Sequence, residues 1–363
     1  MLTASIFVPL AGAIVLLALR RADEQTQRWV ATGIATVPLL LLLIVWTRFE
    51  GSGGFELIEQ APWIPSLGVA YKLGVDGMSL VLAVMSALIF AASTAYPADL
   101  RGRGHEYFAW MLFLEAVSLG VFLALDLFLF YVFFDLSLVG MYFLIGVWGH
   151  GNARRAALKF FLYTLAGSLV MLLAILALYL ATDPRTFDIP TLIASQPLAG
   201  SGLIGVLAFW GFAIGLGVKT PLVPVHTWLP PAHVDAPAPA SAILAGVLLK
   251  LGTYGFIRIM LQMMGEQYQR FAFPIAVVAV VSIVYGALVA LGQPNLKRRI
   301  AYTSVNHMGY TILGVSVGAA AIGLGDRDAQ TLALTGAVVE MVAHGLITGA
   351  LFLISGSIWQ RGE

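Results

Sequence analysis

The chain has 363 residues, of which 60% are hydrophobic and 11% charged, with a formal net charge of +1 and no cysteine. Its mean hydropathy is +0.90. A soluble domain is nearer half apolar and a quarter charged, so this composition excludes a soluble globular protein. Without cysteine the chain itself can hold no disulfide, thiolate metal site or iron–sulfur cluster.

Apolar stretches of about 20 residues recur along the whole length, each long enough to cross a bilayer. They predict an all-α polytopic membrane protein with eleven spans, at residues 2–19, 29–47, 76–95, 107–124, 127–148, 157–181, 203–220, 238–260, 273–292, 300–324 and 331–357. The opening MLTASIFVPLAGAIVLLALRR lacks a basic leader and a small-residue cleavage site, and reads as a first span rather than a signal peptide.

The basic residues set the orientation. Arg20, Arg21 and Arg28 follow span one, Arg101 and Arg103 follow span three, and Arg154, Arg155 and Lys159 follow span five. Lys297, Arg298 and Arg299 follow span nine, and Arg361 follows span eleven. Twelve basic residues therefore share one side, against six on the other: Arg48, Lys72, Arg185, Arg258, Arg270 and Arg327. The positive-inside rule places the basic loops in the cytoplasm and the N-terminus outside. Trp148, Trp228 and Trp359 read as interface anchors, and Asp126, between spans four and five, as a solvated loop residue.

Seven ionisable residues within the spans carry the reading: Glu115, Asp135, Lys219, Lys250, His307, Glu340 and His344. A lysine at membrane depth costs about 2.5 to 3.5 kcal/mol on insertion scales, which a chain carries mostly where a charge or proton is handled. Acids lie in spans four and five, lysines in seven and eight, histidines in ten and eleven, an arrangement that suits charge transfer. Histidine changes charge near neutral pH, which suits His307 and His344 to a proton relay.

Lys219 opens the run KTPLVPVHTWLPPAHVDAPAP. Pro221 and Pro224 lack an N–H and clash with the preceding turn, so helix seven is predicted to open there. Broken backbone at this depth is tolerated inside protein or beside a water-filled cavity, and such breaks are the usual site of ion handling in transporters. His226 and His233, on the same stretch, either extend a hydrogen-bonded path toward the cytoplasm or cap the broken helix. Glu340 reads either as part of the relay or as a polar packing group between helices. Glu340 and His344, four apart on one face, form the closest His/Asp/Glu cluster, too small to predict a metal site.

The stretches GVDGMSL (74–80), LFYVFFDLSLVGMYFLIGVWG (129–149), GVKTPLVPVHTWLPPAHVDAPAPASAILAGVLLKLGTYGFIR (217–258), IAYTSVNHMGYTILG (300–314) and MVAHGLITGALFLISG (341–356) resemble the antiporter-like, proton-translocating subunits of respiratory complex I, chain M in particular. The resemblance covers essentially the whole chain. It implies that Lys219 is the broken-helix lysine and that Lys250 links an input half-channel to a central axis. It implies further that His307 and His344 continue that axis, with Glu115 as the carboxylate of the preceding helix. Asp135 stands where the family usually carries a glutamate paired with the broken-helix lysine, one methylene shorter, so that a water is expected to bridge the two. The expected division is three N-terminal helices (1–100), a first five-helix repeat with the broken helix (101–260) and three helices of a second, inverted repeat (261–363). The family's fourteen helices imply that this chain is a C-terminally truncated piece, without the second broken helix.

By this resemblance the chain is part of an enzyme, an NADH:quinone oxidoreductase, and moves protons while electron transfer proceeds in other subunits. It would hold no cofactor itself. NADH, FMN, iron–sulfur clusters and quinone would reside in partner subunits, and its own partners would be neighbouring membrane subunits, lipid and protons, with no nucleic acid. The expected location is a bacterial plasma membrane. The same lysines occur in the large subunits of multi-subunit sodium/proton antiporters and in membrane subunits of energy-converting hydrogenases, which remain alternatives, as does a purely structural scaffold.

Overall fold

A computed structural model of the chain describes residues 1–98 and 100–362. The helices are α1 (Leu2–Ala18), α2 (Glu24–Arg48), α3 (Gly77–Ala95), α4 (Gly104–Leu123), α5 (Leu127–Trp148), α6 (Ala153–Ala181), the short α7 (Ile189–Ser195), α8 (Leu203–Lys219), the short α9 (Leu229–Asp235), α10 (Ala238–Leu261), α11 (Gly265–Leu291), α12 (Leu296–Leu324) and α13 (Arg327–Gly362). Among the described residues nine are long and apolar enough to cross a membrane, and α1 and α8, at 17 residues each, are shorter. Every expected span coincides with one of these helices. Several helices start earlier than hydropathy suggested, α12 by four residues that include Lys297, Arg298 and Arg299, because a helix continues past the apolar slab into its polar ends.

Side chains of the connecting loops start many of these helices. Asp23, Asp76, Asp126, Asp188 and Asn295 each accept from an N–H of the first turn of α2, α3, α5, α7 and α12, satisfying donors that the helix itself leaves open. Asp76 and Ser79 form a reciprocal capping box.

The connections gather at two ends. At one, Arg101 donates to the carbonyls of Val147 (3.1 Å) and Gly149 (2.8 Å), Gly102 N to Glu24 (3.0 Å), Lys297 to Ala236 O (2.9 Å) and Gln360 to Pro97 O (3.1 Å). These are the connections where most of the basic residues lie. The opposite end carries a feature the hydropathy pattern did not announce. Strands β1 (Glu56–Ile64) and β2 (Val69–Val75) pair antiparallel as a hairpin. β2 is tied to the α4–α5 corner through Leu125 N to Lys72 O (2.8 Å), and Lys72 pairs with Asp188 at 2.5 Å.

The hairpin corrects the reading of Asp126. That residue is 1% exposed, caps α5 and accepts a hydrogen bond from Ala70 N of β2 at 3.0 Å. Two tryptophans are also corrected. Trp148 and Trp228 are buried, their indoles donating to Leu100 O (3.3 Å) and Val218 O (2.9 Å), whereas Trp359 is exposed. Arg258, counted among the loop charges, is buried at the end of α10 and paired with Asp76 at 2.6 Å.

Candidate functional site

The interruption between α8 and α10 organises the site. α8 stops at Lys219, residues 220–228 run as turns, and α9 resumes toward the basic end. Broken backbone exposes polar groups that must find partners in an apolar interior. Here Trp228 donates to Val218 O, Lys159 Nζ to Thr227 O at 2.7 Å, and Val223 N to Ser282 Oγ at 3.0 Å.

Lys219 is 1% exposed. Its ammonium donates to Ser137 Oγ at 3.1 Å and lies 5.1 Å from the ring centre of Phe134 and 6.0 Å from that of Phe160. Asp135 is near enough to interact with its charge, but the two form no ion pair. Asp135 instead has Tyr131 and Ser168 beside it, and its Oδ1 is buried without a hydrogen-bond partner. The short aspartate therefore leaves the lysine to a hydroxyl and two aromatic faces.

Lys250 lies about 18 Å along α10 from its basic-end start, near mid-depth at 1.5 Å per residue. It is fully buried, hydrogen-bonded to Ala245 O at 2.6 Å and to His344 Nδ1 at 2.5 Å. The ring centres of His344 and His307 are 5.4 Å apart, and His307 Nδ1 is 2.7 Å from Glu340 Oε1. Lys250, His344, His307 and Glu340 thus form one row running from α10 across α13 and α12. The Lys250 end is buried, whereas the His307 and Glu340 side chains are 44% and 29% exposed on the outer flank.

Close helix approach makes the row possible. Gly246 of α10 faces Gly345 of α13, where a Cβ on either would come within 3.2 Å or 2.9 Å of the other's carbonyl oxygen. Two wide turns, at 244–248 and 256–261, interrupt α10 on either side of Lys250. Such turns inside α-helices are frequent at functional sites, and hydropathy carries no signal for them.

The remaining expected residues lie apart from the row. Glu115 of α4 is fully buried with both carboxyl oxygens unpartnered. His233 of α9 is fully buried, stacked on Phe352 at 4.5 Å, both ring nitrogens unpartnered, and close enough to Lys250 and Lys297 to interact with their charges. His226 lies against Tyr285 at 5.1 Å. No hydrogen bond joins Lys219 to Lys250. Between their helices, Thr220 Oγ1 is buried without a partner and lies where a Cβ on Gly252 would approach to 2.4 Å.

These helices, one of them interrupted beside a buried lysine, define a polytopic membrane protein with a row of ionisable groups at mid-depth. A sequence profile of the NADH:quinone oxidoreductase/Mrp antiporter transmembrane family matches residues 124–363. The chain is 40% identical to NAD(P)H-quinone oxidoreductase chain 4 1 of Picosynechococcus sp., over 99% of its own length and 65% of that protein's. It is also 40% identical to NADH-quinone oxidoreductase subunit M of Rhodobacter capsulatus, over 98% of its length and 69% of the relative's. Its structure superposes on a chain of respiratory complex I from Thermus thermophilus with a TM-score of 0.84 and 30% identity, covering 99% of this chain and 72% of that one. The chain therefore belongs to the antiporter-like membrane subunits of complex I, the chain 4/subunit M family. It spans about two thirds of the length of these relatives.

Proposed function

We propose that the chain moves protons across a bacterial plasma membrane as part of an NADH:quinone oxidoreductase whose redox groups lie in other subunits. The observation that carries this reading is the row Lys250–His344–His307–Glu340, hydrogen-bonded at each end, with the two imidazole rings 5.4 Å apart between them. Groups able to gain and lose a proton stand within or near hydrogen-bonding reach at a depth where each charge is costly.

In this reading a change of charge near Asp135, driven from elsewhere in the complex, alters how firmly Lys219 holds its proton. The proton passes by way of Thr220 and intervening water to Lys250, then to His344 and His307. Glu340, paired with His307, joins the relay rather than serving as packing. His233, unpartnered between Lys297 and Lys250, supplies Lys250 from the basic, cytoplasmic end, with the N-terminus outside. Glu115 acts as a further buried proton store. α4, α5, α6, α8 with α9, and α10 form a complete first repeat, and α11 to α13 belong to a second, inverted one. The exposed flank at His307 and Glu340 is where the path continues into the remaining third of the longer relatives.

Moving one charge against 100 mV costs about 2.3 kcal/mol, a size that a rearranged buried pair supplies. Lys219→Ala, introduced into the full-length protein in an assembled complex, is expected to lower protons pumped per electron while the redox subunits still turn over. Unchanged proton-to-electron stoichiometry in that variant would overturn the role given to Lys219.

A further inference from the structure

A second cluster of charge lies apart from the proton row. At the basic end, a cavity of about 540 Å³ is lined by Arg101, Arg103, Arg154, Arg155 and residues of the end of α5 and the α5–α6 connection. Two of the four arginines are engaged. Arg101 holds the carbonyls of Val147 and Gly149, which fixes the cavity wall, and Arg103 pairs with Glu106. Arg154 and Arg155 are exposed, and neither has an acidic partner within ion-pair distance among the described residues. They stand in the first turn of α6, a 29-residue helix whose N-cap residue, Asn152, makes no side-chain hydrogen bond to the first turn. The helix start therefore leaves its N–H groups unclaimed by a side chain and adds the positive end of the dipole to Arg154 and Arg155, while one carboxylate, Asp235, lies against Gly151 of the cavity wall.

The level of the cavity narrows the ligand. It opens where α5 ends at the buried Trp148 and α6 begins, at the start of a helix that exposes Leu158, Leu162, Leu169 and Leu173 further along its length. Basic pockets between transmembrane helices on the cytoplasmic side suit phospholipid head groups. Arginine forks and backbone N–H groups both match phosphate oxygens. We propose that this cavity holds the phosphodiester head group of an anionic membrane phospholipid, with Arg154 and Arg155 as its charged contacts. The assignment is independent of the proton path, since none of its residues belongs to the row.

The test uses the full-length protein in its assembled complex, in phosphatidylcholine nanodiscs carrying a trace of photoactivatable phosphatidylglycerol, with cross-linked peptides mapped by mass spectrometry. Label is expected in residues 101–103 and 146–155. Excess unlabelled phosphatidylglycerol should compete it away, whereas phosphatidylcholine and inorganic phosphate should not. Arg154→Gln with Arg155→Gln should reduce it roughly thirtyfold, and Arg154→Lys with Arg155→Lys, which keeps the charge, should retain it. Proton pumping by the lysine variant, measured alongside, reports that the complex is intact. Labelling that survives the glutamine pair, or that phosphatidylcholine competes equally, would overturn the proposal. Equal competition by inorganic phosphate would reassign the cavity to a free anion. Labelling that appears only after a neighbouring subunit is stripped off would reassign it to a protein contact.

Discussion

At the level of single residues, cost separates the informative positions from the ordinary ones. Lys219 and Lys250 stand out in the sequence because an ammonium in an apolar run is expensive wherever it lands. Arg258 looks like an outer-loop charge, and its burial depends on Asp76, 182 positions away, so no local pattern could announce the pair. Burial alone would raise the pKa of Asp76, but the charge and hydrogen bond of Arg258, with those from Ser79, hold it below the usual carboxylate range. The pair's contribution to stability is therefore complete above the ordinary carboxylate value of about 4 and is lost as pH falls through the lower folded value. Asp76→Asn keeps a side-chain oxygen for capping α3 but leaves Arg258 buried and unpaired, which costs about 3 kcal/mol. Denaturation of the full-length protein in detergent should show that loss at neutral pH. The variant should also lose the acid-dependent destabilisation of the wild type. A variant as acid-sensitive as the wild type would remove Asp76 as its source.

For helices and strands, hydropathy locates what crosses the membrane and says little about what is joined to it. The hairpin β1–β2 escapes it because strands of nine and seven residues are too short to register as membrane spans. The burial of Asp126 escapes for the same reason, since the hairpin is what covers it. Proline did predict the break after Lys219, because a missing N–H is a local fact. That Trp228 closes the break is a tertiary one. The contact of α10 with α13 rests on Gly246 and Gly345. A Cβ at Gly345 would come within 2.5 Å of Met85 Sδ and 2.9 Å of Gly246 O. Gly345→Ala should push α13 away from α10 and lengthen the Lys250–His344 contact. Proton pumping should fall in complexes that still assemble, with a lowered thermal midpoint, while Gly33→Ala, in open space on α2, should change neither. Full pumping by the Gly345 variant would mean that the lysine–histidine contact is dispensable.

Over the whole molecule, the alternation of basic and acidic connections carries the arrangement of the helices, since omitting one helix would scramble it. The hydrogen bonds that gather the basic connections at one end are its structural counterpart. Membrane sidedness becomes directly measurable because the chain has no cysteine and offers no background to a thiol reagent. Single cysteines at exposed Trp63 of the hairpin and at Arg155 should react with an impermeant maleimide from opposite faces, Trp63 from outside intact cells and Arg155 in inverted vesicles. Reaction of both from one face would refute the orientation. The gap between Lys219 and Lys250 was not legible in the sequence, because it depends on how Thr220 packs at Gly252 rather than on either lysine.

The two wide turns of α10 give Lys250 a mechanical property distinct from its chemistry. Seven residues of ordinary helix, Leu249–Gly255, are held between stretches that each accommodate surplus backbone. Surplus backbone can migrate by one peptide without unwinding either end of the rod, and one residue corresponds to about 100° of rotation. A shift of that surplus from one stretch to the other would turn the segment as a short axle and move the Lys250 ammonium relative to His344, while Ala238 and Leu261 stayed in place. In the proposed relay, such a turn away from the next member would give the row a direction, with the freedom to make it stored in the main chain.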